Sequence, residues 1–192
     1  MKQIILAITG ASGAVYARRL SQQIVQAGAH LHLVASPHGR RLLADELGIR
    51  RLTIEALLGT PSEQVTLHAY HDVGADIASG SFRVDAMVIC PCSSNTLAAV
   101  AAGTAENLIT RAAHVTLKEA RRLILVPREM PISQIEIANM LRLSQAGAII
   151  CPAAPGFYLH PQSIEDLVDF VVARILDLLG LSHALSARWK SP

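Results

Sequence analysis

Five short segments that combine glycine, small hydroxyl residues and charge stand directly after apolar stretches of the sequence, where they could bind a phosphorylated ligand. They cover residues 9–13, residue 36, and residues 92–96, 127–129 and 152–158. Glycine and serine let backbone N–H groups at a helix N-terminus approach an anion closely. Two of these segments, 10–13 and 93–96, therefore predict a site for one nucleotide phosphate and its ring system.

The glycine segment does not match the fingerprint of a dinucleotide-binding protein. That fingerprint needs a further glycine, and an acidic residue about 20 residues later that holds the ribose. Here Ala14 and Val15 follow Gly13, and Ser36 stands at the end of the second apolar stretch. A mononucleotide such as FMN fits this pattern better, although so short a motif is equally typical of a tight strand-to-helix turn.

Three cationic residues differ in how strongly the sequence marks them for function. Arg128 directly follows an apolar stretch and precedes Glu129, a position that suits an anion clamp in a crevice. An internal ion pair with Glu129 or another acid is the alternative. Lys118 and Arg174 lie in helical patterns, where a solvated face is the default interpretation.

Neither the cysteines nor the histidines form a pattern that indicates metal or nucleophile chemistry. Cys90, Cys92 and Cys151 are odd in number, lack zinc-finger spacing and have no recognisable activating partner, so buried apolar roles are favoured. His68 and His71 could face one another on a helix, but no glutamate follows them in zinc-protease spacing. We expect no metal site.

The elements that must position these residues alternate along the chain. Continuous apolar runs predict strands over residues 4–8, 30–35, 86–90, 123–126 and 148–151, with a turn at 36–39 and weak periodicity over 53–82. Apolar spacing and capping residues predict helices over residues 15–28, 40–47, 96–102, 106–117, 133–145 and 163–179.

This alternation predicts the fold class. Short apolar strands separated by helices require a parallel sheet that is buried on both faces, with right-handed crossovers. The predicted fold is α/β, a Rossmann-like or flavodoxin-like three-layer sandwich that forms one domain over residues 1–192. Because ligands of such sheets bind beyond the carboxyl ends of the strands, the five segments are expected to face one crevice.

The composition excludes several classes of protein. Hydrophobic residues make up 51% of the chain and charged residues 17%, which excludes disorder, and no apolar run reaches the ~18 residues of a membrane span. A net charge of +2 without a long basic run gives no indication of nucleic-acid binding. So apolar a chain favours a homo-oligomer, with residues 180–192 and Trp189 at a subunit interface. Cysteine usage and the lack of a signal-peptide pattern indicate a cytoplasmic protein.

Seven segments spread over the whole length carry a family resemblance. They are TGASGA at 9–14, SGSF at 79–82, CPCS at 90–93, LKE at 117–119, VPRE at 126–129, PAAPGFY at 152–158 and ARW at 187–189. Together they resemble the UbiX-type flavin prenyltransferases, a family of UbiX/Pad-like FMN-binding proteins. The resemblance implies an enzyme that joins a dimethylallyl group from dimethylallyl monophosphate to reduced FMN, giving prenylated FMN for a UbiD-type decarboxylase. It implies no metal, and relatives suggest a dodecamer.

The resemblance also assigns roles to residues of this chain. Contacts with FMN are implied for Gly10, Ala11, Ser12, Ser36, Ser93, Ser94, Asn95, Thr96 and Arg128. Contacts with the allyl phosphate are implied for Lys118, Arg128, Glu129, Tyr158 and Arg174. Catalytic roles fall on Ser12 and Glu46, which match residues near the reacting flavin, and on Glu129. Ser94 and Asn95 depart from the lysine- or glycine-bearing forms of relatives.

The chemistry explains why such residues are needed. Breaking the allylic bond to phosphate places positive charge on carbon and extra negative charge on the departing phosphate, so cations and a tyrosine hydroxyl would stabilise the leaving group. Ring closure then requires a proton to be removed, for which Glu129, Glu46 and the retained phosphate are candidates. Two other functions stay open: an FMN-dependent cysteine-type decarboxylase, and a non-enzymatic flavin-binding accessory subunit of a decarboxylase.

Overall fold

A computed structural model describes residues 1–185, in which six strands form one sheet surrounded by seven α-helices and one 3-10 turn. The strands are β1 (Gln3–Ile8), β2 (His30–Ala35), β3 (Val65–His68), β4 (Ala86–Cys92), β5 (Arg122–Pro127) and β6 (Ile149–Ile150). The helices are α1 (Ala14–Gln26), α2 (Pro37–Leu47), α3 (Ile54–Leu58), α4 (Ser94–Ala102), α5 (Leu108–Lys118), α6 (Gln134–Gln145) and α7 (Ile164–Leu179), and the 3-10 turn covers Asp76–Ala78.

The sheet has the strand order β3-β2-β1-β4-β5-β6, and every neighbouring pair is parallel. At its centre, Ile4 of β1 lies opposite Leu31 of β2 and Ala86 of β4. After β1 the chain adds β2 and β3 on one side of that strand, and it then crosses over to add β4, β5 and β6 on the other side. The loops therefore diverge between β1 and β4, and this opens a crevice at the carboxyl edge, where the strands end.

Alternate residues of β1 supply two separate cores. Ile4, Leu6 and Ile8 pack in the core formed with α1, α2, α3 and α7. Ile5 and Ala7 pack in the core formed with α4, α5 and α6. Because successive side chains of a strand point to opposite faces, a strand buried on both faces is a continuous apolar run. The predicted three-layer α/β sandwich is confirmed.

Several local predictions differ from the structure. β3 was not predicted, because only Val65 of this strand at the sheet edge is buried and the alternating apolar signal is weak. The short helix α3 was also missed. The predicted turn at 36–39 is instead the start of α2, where Ser36 caps the helix and proline suits the first turn. His68 ends β3, so a helix that places it opposite His71 is ruled out.

The C-terminal residues that the structure describes pack against their own chain. The Nζ of Lys2 donates to the carbonyl oxygens of Leu179 and Gly180, both at 2.9 Å, and Leu181 is buried in the core with α1 and α7. The interface role predicted for Trp189 lies outside the described residues. Over the described range 1–185, we find no helix with the length and apolar character needed to cross a membrane.

Candidate active site

The carboxyl ends of β1, β2 and β4 surround a cavity of about 510 Å³, within the size range of small-molecule sites. Its lining comprises Gly10, Ser36, Pro37, His38, Tyr70, Ser93, Asn95 and Thr96. The structure thus brings together five residues for which the resemblance implied FMN contacts. Sequence reasoning missed Pro37 and His38, which lie in the segment predicted as a turn, and Tyr70, which lies in the weakly periodic stretch 53–82.

Thr9 ties two of the loops together at the floor of this crevice. Its hydroxyl donates to the carbonyl oxygen of Pro91 at 2.8 Å and accepts from the backbone N–H of Ser93 at 2.8 Å. Thr9 is fully buried. A buried hydroxyl with both hydrogen bonds satisfied fixes the β1 loop against the β4 loop, so the cavity walls are held by the fold itself.

Two helices begin at the cavity, and their first turns suit an anion. Ser36 caps α2 by accepting from the N–H of Gly39 at 3.0 Å, and Ser93 caps α4 by accepting from the N–H of Thr96 at 3.3 Å. The N-terminus of a helix carries partial positive charge and free N–H groups. The cavity is therefore polarised toward a negatively charged ligand.

Close approach of backbone segments makes two glycines necessary here. A Cβ at Gly10 would lie 2.6 Å from the Cβ of His38. A Cβ at Gly39 would lie 2.4 Å from the carbonyl oxygen of Ile8. Larger residues would push α2 away from the end of β1 and reshape the cavity wall.

Glu46, for which the resemblance implied a catalytic role, holds the start of α1. Its carboxylate accepts from the N–H of Gly13 at 3.0 Å and from the N–H of Ala14 at 2.7 Å. Gly13 has a φ of 117°, and its own position supplies no capping side chain to α1. The carboxylate of Glu46 therefore caps this helix from α2, beside Ser12.

Arg128 and Glu129 link the β5 loop to two neighbouring loops. The Nε of half-buried Arg128 donates to the carbonyl oxygen of Ser12 at 3.2 Å, and within residues 1–185 Arg128 forms no ion pair. Glu129 is exposed, and its Oε2 accepts from the hydroxyl of Ser94 at 3.0 Å. The alternative of an internal ion pair between Arg128 and Glu129 is thus not what the structure shows.

Tyr158 packs against α7, and Arg174 of the same helix lies near Cys151, the residue that follows β6. The ring of Tyr158 meets Phe170 of α7 edge to face, with centroids 5.6 Å apart, and Arg174 follows Phe170 by one helical turn. Burial raises the pKa of the Cys151 thiol, and the nearby charge of Arg174 opposes that rise. The N–H of Ala153 donates to the carbonyl oxygen of Pro127 at 3.1 Å, which joins the β6 loop to the β5 loop.

Lys118 does not reach the same edge of the sheet within one chain. It ends α5, ahead of Arg122 at the start of β5, whereas Arg128 follows Pro127 at the end of β5. The five steps from Arg122 to Pro127 place the two ends of β5 about 16 Å apart, at roughly 3.3 Å per residue. The exposed ammonium of Lys118 pairs with Glu119 at 3.1 Å. One chain alone therefore does not assemble the set predicted for the allyl phosphate.

The segment SGSF at 79–82 lies against the end of α5, at the edge of the sheet where the strands begin. A Cβ at Gly80 would lie 2.4 Å from Oε1 of Glu119 and 3.2 Å from Nζ of Lys118. Arg121 donates to the carbonyl oxygens of Gly80 at 2.7 Å and Phe82 at 2.9 Å. The segment 79–82 is thereby fixed against the end of α5.

The cysteines of the site region behave as buried apolar side chains. Cys90 and Cys92 are buried, and burial raises the pKa of the Cys90 thiol strongly and that of Cys92 to about 12. Thiols in this state carry no thiolate at neutral pH. Among residues 1–185, no three histidine, cysteine or acidic side chains cluster so that they could hold a metal ion.

Comparison with known proteins decides the family. Residues 1–176 match the Flavoprotein family. The flavin prenyltransferase UbiX of Pseudomonas aeruginosa is 49% identical over 196 residues, covering 98% of this chain and 94% of that protein. This chain belongs to the UbiX-type flavin prenyltransferases. The UbiX of Halalkalibacterium halodurans is 46% identical, with 95% of this chain and 90% of that protein covered.

Solved structures of UbiX-type proteins share the fold described above. The crystal structure of AnUbiX (PadA1) in complex with FMN and dimethylallyl pyrophosphate has a TM-score of 0.90 and 38% identity, covering 99% of this chain and 98% of that chain. A dodecameric FMN-dependent UbiX-like decarboxylase from Escherichia coli O157:H7 has a TM-score of 0.89 and 40% identity, covering 98% and 100%. A PPC decarboxylase at 20% identity shares the fold alone. As a member of this family, the protein is an enzyme.

Proposed function

We propose that this protein transfers the dimethylallyl group of dimethylallyl monophosphate to reduced FMN, and that the prenylated FMN serves a UbiD-type decarboxylase. One observation carries the proposal. AnUbiX (PadA1), whose solved structure holds FMN and dimethylallyl pyrophosphate, matches nearly the whole of this chain at a TM-score of 0.90. The sequence of this chain also keeps, at 9–14, 126–129 and 152–158, the segments that carry the family resemblance.

The cavity at the carboxyl edge fits an FMN molecule in size and chemistry. A volume of about 510 Å³ suits a mononucleotide, and two capped helix N-termini face an anionic group. Gly10 leaves room for the ligand next to His38, where a side chain would not fit. Residues that would hold FMN are Gly10, Ala11, Ser12, Ser36, Ser93, Ser94, Asn95, Thr96 and Arg128. When bound and reduced, FMN supplies the electron-rich ring that receives the five-carbon group.

Arg128, Arg174 and Tyr158 would hold the allyl phosphate and stabilise it as it leaves. Charge develops on the phosphate oxygens during bond breaking, and preorganised cations stabilise that charge more than they stabilise the substrate. Arg128 is already oriented by its hydrogen bond to Ser12, and Tyr158 by its packing on Phe170. Little reorganisation of these side chains is needed during the reaction.

Lys118 would act on the allyl phosphate of an adjoining copy of the chain. Within one chain it lies at the opposite edge of the sheet from Arg128. A homologue of 40% identity is dodecameric. Large apolar side chains of and near α6 are also exposed, with Ile135 at 74% and Met130 at 88% exposure, as is usual for a surface that pairs with another subunit. We therefore propose a homo-oligomer whose interface completes the site.

Glu129 is our choice for the proton acceptor. The carboxylate of Glu46 already accepts the N–H groups of Gly13 and Ala14, which favours its role as a helix cap. Glu129 stands next to Arg128 and is exposed at the crevice rim, where its carboxylate accepts from the hydroxyl of Ser94 at 3.0 Å and from the N–H of Met130 at 3.2 Å. A carboxylate with a free lone pair beside the leaving phosphate suits general-base catalysis. Ser12 would contribute a hydroxyl near the reacting ring.

A mass measurement tests this function. The purified protein is incubated without oxygen with reduced FMN and dimethylallyl monophosphate, and flavins are analysed by mass spectrometry. The prenylated flavin is expected only when protein and both substrates are present. Its absence would favour a flavin-binding accessory subunit. Release of carbon dioxide from a cysteine-type peptide by the same preparation would favour the decarboxylase alternative.

A further inference from the structure

The cavity at the carboxyl ends of β1, β2 and β4 is lined by hydrogen-bond donors and, among the described residues, by no carboxylate. The side chains that can donate an O–H or N–H into it are Ser36, His38, Tyr70, Asn95 and Thr96. The hydroxyl of Ser36 accepts from the N–H of Gly39 and can still donate its own proton. Such a lining suits a group that offers only acceptor oxygens, as a phosphate monoester does.

The phosphate is the end of FMN that this cavity would receive. The family resemblance places the reacting ring near Ser12, whose carbonyl oxygen accepts from Nε of Arg128 at 3.2 Å. Neither Ser12 nor Arg128 lines the cavity. The cavity instead adjoins the first turns of α2 and α4, where free N–H groups carry partial positive charge. An FMN molecule that spans both regions therefore has its phosphate here.

His38 and Tyr70 enter the cavity from opposite layers of the sandwich. His38 stands in the first turn of α2, a helix whose Leu43 packs in the core with α1 and α7. Tyr70 follows β3 and packs against the core on the other face of the sheet. Its carbonyl oxygen accepts from the N–H of Leu108 at 2.9 Å, which fixes this turn to the start of α5. A ligand in the cavity is thus within reach of both layers.

The polar groups of these two side chains are available to a ligand. Within residues 1–185, neither the Tyr70 hydroxyl nor the His38 ring forms a hydrogen bond. The hydroxyl of Ser93, in contrast, already donates to Oγ1 of Thr96 at 3.0 Å. Burial, and then the charge of Glu106, raise the pKa of Tyr70, so its hydroxyl keeps the proton that it would donate.

We propose that His38 and Tyr70 are specificity-determining residues that donate to the terminal phosphate of FMN and make the cavity prefer FMN to riboflavin. The two flavins differ only in this phosphate, so a contact with it contributes to the affinity for FMN alone. Neither residue lies in the segments that carry the family resemblance. The inference rests on the proposed function, in which FMN is the flavin substrate.

Two variants remove these donors with little change to packing. Tyr70→Phe deletes the hydroxyl and keeps the ring on its core. His38→Ala deletes the imidazole and keeps the Cβ that faces Gly10. Arg41→Ala is the control, because it shortens another side chain of α2 that is exposed and pairs with Asp45. Oxidised FMN and riboflavin are titrated separately against each protein, and flavin fluorescence gives the two Kd values.

Each variant is expected to weaken FMN binding about 10-fold or more, the usual effect of losing a hydrogen bond to a charged group. Riboflavin affinity is expected to stay within 2-fold of wild type, because riboflavin has no phosphate to lose contact with. The double variant should lose more of the preference for FMN than either single variant. Arg41→Ala should change neither affinity.

Equal affinity of the wild-type protein for FMN and riboflavin would overturn the inference. So would a wild-type preference for FMN in both single variants, or an equal loss for both flavins, since an equal loss places the contact on the part that they share. The titration needs no turnover. A protein that shows the expected preference but forms no prenylated flavin would contradict the proposed reaction and leave the phosphate contacts supported.

Discussion

The carboxylate of Glu46 on α2 accepts a 2.7 Å hydrogen bond from the N–H of Ala14, the first residue of α1. A helix that begins at glycine has no side chain of its own to satisfy its first N–H groups. Glu46 supplies that acceptor, and its charge complements the positive end of the helix. The contact couples α1 to α2, whose own first turn lines the cavity at Ser36.

Removing this cap should cost stability. Glu46→Ala is expected to lower the free energy of unfolding by about 1 kcal/mol, the usual value of a lost helix cap. Glu46→Gln should lose less, because an amide oxygen still accepts. Urea titration followed by circular dichroism measures both. Asp45→Ala is the control, since its exposed pair with Arg41 contributes little. A Glu46→Ala protein of wild-type stability that no longer prenylates flavin would instead assign Glu46 to catalysis.

Enlarging Gly10 should close the cavity proposed for FMN. The added Cβ of Gly10→Ala meets the Cβ of His38 at 2.6 Å, and overpacking of this kind costs about 1–3 kcal/mol. We expect FMN affinity, measured by fluorescence titration, to fall about 10-fold or more. Gly74→Ala is a matched control because its Cβ finds its nearest neighbour at 3.4 Å. Equal FMN affinity in both variants would remove Gly10 from the binding site.

Mixed oligomers test whether Lys118 acts across an interface. Lys118→Ala and Arg128→Ala should each be inactive, whereas subunits unfolded and reassembled together should regain activity in about a quarter of their sites, as a heterologous interface predicts. Arg128→Ala mixed with Glu129→Gln is the control, since adjacent residues of one chain cannot complement each other. Without recovery in the first mixture, Lys118 would have no role in a neighbouring site.

Arg174→Ala should impair the reaction of the allyl phosphate without weakening the binding of FMN. Because Arg174 lies near Cys151 and does not line the cavity proposed for FMN, its loss is expected to reduce prenylation at least 100-fold while FMN affinity stays within 2-fold. Arg41→Ala, which removes a cation exposed to solvent, should change neither. Prenylation by Arg174→Ala at the wild-type rate would refute its assignment to the phosphate clamp.

A buried histidine should make stability fall in acid. Burial, and then the charges of His68 and His30, lower the pKa of His32 to about 4, with Asp76 opposing. Between pH 6.5 and about 4 the unfolded chain binds a proton that the folded chain excludes, so the free energy of unfolding decreases as pH falls. The loss is about 3 kcal/mol at most. Urea unfolding at several pH values should show a shallower dependence for His32→Gln than for His71→Gln; identical slopes would exclude His32 as the cause.

The sequence predicts a strand of this fold when both faces of the strand are buried. β1 and β4 are apolar on both faces and were predicted nearly to the residue. β3 is an edge strand in which Thr66 and Leu67 are exposed, so it lacks that signal. For α2, a proline and a glycine suggested a turn, although both residues are compatible with a capped first turn.

Residues of the site that lie in glycine- and serine-rich loops were predicted from the sequence, whereas residues that only the fold brings to the site were not. The glycine and serine loops predicted Gly10, Ser36 and Ser93 in the cavity lining. His38 enters the lining from α2 and Tyr70 from the turn after the edge strand β3, without a local signal. The family resemblance implies that Lys118 contacts the allyl phosphate, but it does not show whether the contact is within one chain or with an adjoining copy. That depends on the length of β5, which separates Lys118 from Arg128, and on how the copies assemble.

The most direct test of the central claim compares two products in one reaction. Under anaerobic conditions, inorganic phosphate and prenylated flavin are quantified after incubation with dimethylallyl monophosphate and either reduced or oxidised FMN. Transfer predicts equal amounts of phosphate and prenylated flavin with reduced FMN, and neither product with oxidised FMN. Phosphate released without a flavin product, or no product under either condition, would contradict the proposed reaction.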